Sequence, residues 1–324
     1  MKRALLVGID NYPYSPLYSS VKDATNMAYL LEWHANGTKN FDVKLETEVF
    51  TKAVLRKLIV ELFSGDEETV LFYFSGHGLL NVSGGHIVTP DRKDYDEGIL
   101  LDEILRLANN CKARNKIIIL DSCHSGALGF SDSFGAEKSY IGEGITIMTA
   151  SRSHEPALAK GYSSVFTSLL IEALKGGAAD ITGQITPGAI YAYIDQALGP
   201  FDQRPVFKTN TTRFSPLRKV SPLVSPEALN NITEYFITDE TEHNLDPSYE
   251  ETNIADIKPF LREPYATPKK IAIFKHLQQM ERVGLLQPVD TPFLFFAAMD
   301  SKSCKLTPLG RHYWRLVKNK KLRL

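Results

Sequence analysis

Cysteine is scarce in this chain, three residues in 324, and no two of Cys111, Cys123 and Cys304 have the spacing of a C-x-x-C pair. A disulfide framework and a cysteine zinc site are excluded as organising principles, and a reducing compartment is the expected setting. No stretch approaches the roughly 20 consecutive apolar residues of a membrane-spanning helix, so no membrane partner is expected. Neither charge is in excess: 37 Lys and Arg against 38 Asp and Glu leave a formal net charge of -1, which gives no global attraction to nucleic acid or an anionic surface. Internal repeats are absent too. The opening MKRALLVGID puts basic residues before an apolar run, but that run is too short for a signal-peptide core and ends in Asp10 with no small-residue cleavage site. It reads as a buried strand of a cytoplasmic protein.

What is present is a globular composition, 43% hydrophobic and 23% charged, in a chain long enough for one large domain and a smaller one. Up to residue 208, short apolar runs alternate with amphipathic segments, the rhythm of a mostly parallel sheet with helices on both faces. Strands are expected over residues 4–8, 69–74, 116–120 and 144–149, each dense in Val, Ile, Leu or Phe as a strand covered on both faces must be. Helical spacing marks 23–33, 52–63, 101–111 and 163–174. Val206 belongs to an edge strand, because Pro205 beside it cannot donate to a ladder. Residues 209–226, rich in Thr, Ser and Pro, read as a linker, and 227–324 as a second domain.

Two strand ends carry the chemistry. Residues 71–78 read LFYFSGHG and 117–126 read IIILDSCHSG, each a buried strand running out into polar residues with a His or a Cys. In open parallel sheets, reacting groups collect at the carboxyl ends of strands. A free cysteine, with a pKa of about 8.5, is only partly ionised at neutral pH and needs a base or a positive field. His77 can supply it, and the amides of Gly78 and Cys123 are the natural donors to a developing oxyanion. A backbone carbonyl suffices to orient the imidazole. His86 and His124 lie near these motifs but are not expected to act as the base, while His34 and His154 have no partner that the sequence names. Cys111 and Cys304 read as structural.

The pair of motifs, with 46 residues from His77 to Cys123, resembles the caspase-like cysteine peptidases, closest to metacaspases and their bacterial relatives; caspases carry the His about 50 residues upstream of the Cys. The similarity extends over LLVGIDNY, VKDA at 21–24, VTPD at 88–91 and QRPVF at 203–207, and does not cover the second domain. It implies a caspase-like fold, a Cys123–His77 dyad, and an endopeptidase in a triggered signalling or defence pathway. Caspases that cut after Asp have a Gln where this chain has Asp121. The metacaspase S1 pocket maps onto Asp121, Asp23 and Ser75, so the implied substrate is a protein with Lys or Arg at P1. Asp23 could instead be an ordinary acid at a helix N-terminus. No cofactor or structural metal is expected. Calcium is left open: Asp91 is present, but the acid pair near the following helix reads Leu101-Asp102-Glu103, and hard cations need about six oxygen ligands or more. Asp94, Asp96 and Glu97 then read as a solvated loop. Lys138, Arg213, Arg218 and Lys219, in polar stretches, are candidate self-cleavage sites. A catalytically silent caspase-like regulator is the alternative reading.

The second domain opens acidic, over 227–256, and from Phe260 onward has thirteen basic side chains against four acidic ones. A helix over 268–284, strands within 285–296 and 304–307, and a helix over 308–318 suggest a winged-helix-like domain. Its basic end (Lys302, Lys305, Arg311, Arg315, Lys318, Lys320, Lys321, Arg323) would suit phosphate contact. The recognition helix lacks a run of base-reading side chains. A regulatory or interaction domain that an activating protein addresses is therefore expected ahead of a DNA-binding one.

Overall fold

The computed structural model describes residues 1–94, 96–122, 141–150, 159–160, 163–198, 204–254 and 262–322. They divide into two compact units, Met1–Ala179 with Gln184–Val220, and Asp180–Gly183 with Ser221–Leu324.

The first unit runs β1 (Lys2–Gly8), α1 (Ser20–Glu32), β2 (Asp42–Glu46), α2 (Lys52–Phe63), β3 (Thr69–Ser75), β4 (Gly78–Asn81), β5 (Gly84–Lys93), β6 (Asp96–Leu100), α3 (Leu101–Asn110), β7 (Asn115–Asp121), β8 (Ile145–Thr149), β9 (Ala159–Lys160), β10 (Ser163–Ser164), α4 (Val165–Glu172), β11 (Gln184–Ile185), α5 (Pro187–Ala197), β12 (Val206–Asn210) and β13 (Arg218–Lys219). A six-stranded sheet has the order β12-β8-β7-β3-β1-β2, parallel except where β12 runs antiparallel to β8. The expected mostly parallel sheet is borne out. Side chains alternate between the faces of a strand, and here both faces are cores. Val70, Phe72 and Phe74 of β3 join α2 and α3, whereas Leu71 and Tyr73 join α1, α4 and α5. That is why β3 and β7 read as unbroken apolar runs. The edge strand β2, half exposed and carrying Asp42, Lys44 and Glu46, has no such signature and was not expected. Neither was the separate three-stranded sheet β4-β5-β6, nor α5.

The linker expectation needs correction at its start. Strand β12 continues to Asn210, Leu217 is fully buried, and β13 pairs with β11, so residues 209–220 are built into the first unit. Arg218 and Lys219 thus sit in a paired strand, a poor substrate for cleavage, and the Lys219 amide donates to His34 Nδ1 at 3.0 Å. Lys138 lies outside the described residues.

The second unit contains α6 (Pro226–Asn230), α7 (Ile232–Tyr235), β14 (His243–Asn244), α8 (Pro268–Arg282), β15 (Leu286–Pro288), α9 (Leu294–Met299), β16 (Ser303–Leu306) and α10 (Pro308–Lys318). Its core gathers Phe236, Leu277, Met280 and Leu285. The expected helix, paired strands and helix are present, but the first strand stops at Pro288 and a short helix begins at Leu294. Between them, Asp290 takes a positive φ of 55° and Pro292 follows, which ends any ladder there. Strand β14 adds to β16 as a third strand. The charges segregated in sequence meet in space: Lys270 pairs with Asp246 at 2.5 Å, Lys275 with Glu251 at 2.9 Å and Arg315 with Asp239 at 2.6 Å. Cys304 is buried, which pushes its thiol up to about 12 and leaves it an inert core group.

Candidate active site

Strands β1, β3 and β7 end level, because the register sets Gly8 beside Ser75 and Ser75 beside Asp121. His77 and Cys123 each follow that row by two residues in sequence. Cys123, His124 and His154 lie outside the described residues. Gly78 opens β4 opposite Ile87.

His77 is held from three sides. Its amide donates to the Tyr12 hydroxyl at 3.0 Å, the Tyr12 ring meets the imidazole edge-on with centroids 4.5 Å apart, and Nε2 stands 2.6 Å from the Ser15 carbonyl oxygen. A carbonyl oxygen only accepts, so Nε2 carries the hydrogen and Nδ1 holds the lone pair of the neutral ring. The tautomer of the His77 ring is thereby set by a backbone group. Tyr12 donates onward to the Val88 carbonyl at 3.1 Å, and burial raises its phenol well above the ordinary range, keeping it a donor. The segment bearing Tyr12 and Ser15 is tied by Asp10, whose carboxylate accepts the Ser20 amide at 2.8 Å and whose carbonyl accepts the Leu17 amide at 2.9 Å. Asp10 thus does at the start of α1 what Asp23 could have done.

Gly76 is fixed by this packing. A Cβ there would stand 2.5 Å from the Tyr12 oxygen and 2.7 Å from the Phe74 ring. Gly76→Ala should therefore lower stability by about 1–3 kcal/mol, read as a fall in melting temperature. An unchanged melting curve would show that the Tyr12 contact yields freely.

The three residues expected in S1 come together in one buried cluster. Strand parity sets Ser75 and Asp121 on the same face as Tyr73, toward α1 and α4. Asp23, fully buried, lies on the inward stripe of α1 with Ala24 and Met27. Its carboxylate accepts the Ser164 amide at 3.2 Å. Asp121 accepts the Ser164 hydroxyl at 2.9 Å and the Thr167 hydroxyl at 2.6 Å. Tyr73 bonds Thr167 at 2.8 Å. Burial pushes the Asp121 carboxyl up to about 6; the two hydroxyls lower it and the Asp23 charge raises it. Sequence reasoning missed Tyr12, Tyr73, Ser164 and Thr167. One signal stood in the sequence, a tyrosine inside the otherwise apolar LFYF run.

The other candidates are engaged elsewhere. His86 is buried, with Nδ1 3.1 Å from the Gly84 carbonyl. Asp91 accepts the Lys52 amide at 3.0 Å and the Thr89 hydroxyl at 2.7 Å, while Asp96 pairs with Lys52 and Glu103 with Arg56, each at 2.6 Å. No group of three or more His, Cys, Asp or Glu among the described residues is placed to hold a metal ion. No described helix is long and apolar enough to cross a membrane.

A family model described as the caspase domain matches residues 1–215. The chain belongs to the caspase family. That is a family of cysteine peptidases, and the caspase domain runs through β12 and stops before Ser221–Leu324 of the second unit. No curated protein matches the chain. Among solved structures it is similar to protein GSU0716 from Geobacter sulfurreducens, with 19% identity, a TM-score of 0.48, and coverage of 68% of this chain and 97% of the other. It is also similar to caspase-1 from Spodoptera frugiperda, with 14% identity, a TM-score of 0.48, and coverage of 68% and 90%.

Proposed function

We propose that this caspase-family chain is an active endopeptidase that cuts after Lys or Arg. Cys123 is the nucleophile and His77 the base, and the amides of Gly78 and Cys123 receive the oxyanion. His77 Nδ1 takes the thiol proton as sulfur attacks the scissile carbonyl. The C–N bond then breaks as the imidazolium returns that proton to the leaving amine, and water hydrolyses the thioester. The observation that carries the specificity is the buried pair Asp23 and Asp121, both bonded to Ser164 beside the strand end that leads to His77. The hydroxyls that bond Asp121 are neutral, so a P1 guanidinium or ammonium supplies the counter-charge that burial otherwise denies it. No cofactor enters this reading, and the setting is the cytoplasm.

The second unit is read as the place where a protein partner triggers or recruits the peptidase. Its acidic segment already pairs with Lys270, Lys275 and Arg315, which removes part of the basic surface that nucleic acid would need.

Incubation with an arginine chloromethylketone should add one inhibitor mass at Cys123, located by peptide mapping. An unmodified Cys123 beside a reactive control peptidase would instead support a caspase-fold binding protein without turnover.

A further inference from the structure

The hydroxyls at Asp121 belong to a directed chain. An ionised carboxylate only accepts. Thr167 has one hydroxyl proton and gives it to Asp121 Oδ2, so its oxygen is left to accept from the Tyr73 phenol. Ser164 supplies the second donor, to Oδ1. Asp121, Thr167, Tyr73 and Ser164 are all buried. Protonating Asp121 would put a donor where the chain expects an acceptor, and Thr167 or Ser164 would have to turn away. The start of α4, capped by Ser164, also faces the carboxylate with its positive end. Burial and the like charge of Asp23 from α1 work the other way. Among the described residues, the other titratable group facing Asp121 is Tyr73 from β3, which burial keeps neutral; the donors from β10 and α4 carry no charge.

We propose that Thr167 and Ser164 are specificity-determining positioning residues of the P1 pocket, holding Asp121 as an oriented anion before a cationic side chain arrives. This rests on the proposed function and deepens it. Without these donors, burial and Asp23 would leave the pocket floor neutral at neutral pH, and a P1 Arg would meet half the intended charge.

The test compares the parent with Thr167→Val, which keeps shape and removes the donor, Ser164→Ala, and Thr167→Ser, which restores the hydroxyl. Asp121 titration is followed by carboxyl carbon NMR of protein labelled at aspartate, assigned by the signal that Asp121→Asn lacks. Cleavage of an Arg fluorogenic peptide is followed from about pH 5 to about pH 9. The Asp121 midpoint should rise by about one to two pH units in Thr167→Val and in Ser164→Ala, the shift that loss of a hydrogen bond to a charged group produces. It should return in Thr167→Ser. Arg cleavage at pH 7 should fall about two- to tenfold and recover at higher pH. An unmoved midpoint in both donor-less variants, or a fall independent of pH, overturns the proposal while leaving Lys/Arg cleavage intact. A parent that does not cleave Arg peptides overturns the proposed function, and the specificity role with it. If Thr167→Val does not fold, Ser164→Ala decides.

Discussion

Cys123→Ala is expected to lower cleavage of Arg- and Lys-terminated fluorogenic peptides by about four to six orders of magnitude, leaving only what binding and the oxyanion donors supply. His77→Ala should cost less, about two to four orders, because a cysteine without its base is still a few per cent thiolate at neutral pH. The residual activity of His77→Ala should climb toward the intrinsic thiol ionisation at about pH 8.5. Neither change should disturb folding. The β3 core ends at Ser75, and the half-buried imidazole beyond it rests against the Ser15 carbonyl and the Tyr12 ring. The measurement is turnover together with a melting curve for each variant. Near-normal turnover in either one, with melting unchanged, would remove that residue from the dyad. His77→Asn should fall as far as His77→Ala, since an amide can reach the Ser15 carbonyl but offers no basic nitrogen.

The strands that position this site were readable because β1, β3 and β7 are covered on both faces, which forces continuous apolar runs that stop where the chain leaves the sheet. The motifs S-G-H-G and D-S-C-H-S-G mark those exits, so His77 and Cys123 stood out together. Asp23 was readable only through family resemblance, and its burial among Ala24 and Met27 is what separates it from a capping acid. Ser164 and Thr167 were not readable. They come more than 40 residues after Asp121 in an S-S-V-F-T stretch that serves equally well as a plain helix start, and parity across the sheet brings them to the carboxylate. Asp10 and Tyr12 were hidden for a related reason: their partners are backbone groups, which leave no trace in side-chain spacing. The edge strand β2 and the sheet β4-β5-β6 are only partly buried and break the apolar rhythm.

Asp121→Asn should reduce kcat/KM for Arg substrates by roughly 30-fold to several thousand-fold. Truncating one side of a buried, hydrogen-bonded charge pair costs about 2–5 kcal/mol, and the P1 guanidinium would lose one of two carboxylates. Alkylation of Cys123 by iodoacetamide, which needs no S1 pocket, should change far less, and it serves as the reference that cancels titration of the thiol and the imidazole. Divided by that rate, Arg cleavage by the parent should rise through about pH 6, where Asp121 ionises, and the step should vanish in the variant. Stability should move the opposite way. The folded-state carboxyl is raised above its ordinary value, so the folded form holds the proton more tightly than the unfolded chain, and stability is lost as pH rises from about 4 through about 6. At pH 7.5 the parent therefore carries a buried charge that Asn removes, and the variant should melt at least as high as the parent. Below about pH 5 that advantage should be gone. A variant that loses Arg cleavage while keeping or gaining stability identifies Asp121 as a residue retained for its charge. If Asp121→Asn cleaved Arg substrates normally, or if the parent preferred Asp at P1, the acidic pocket would be wrong, and the Cys123–His77 chemistry would stand or fall on its own variants.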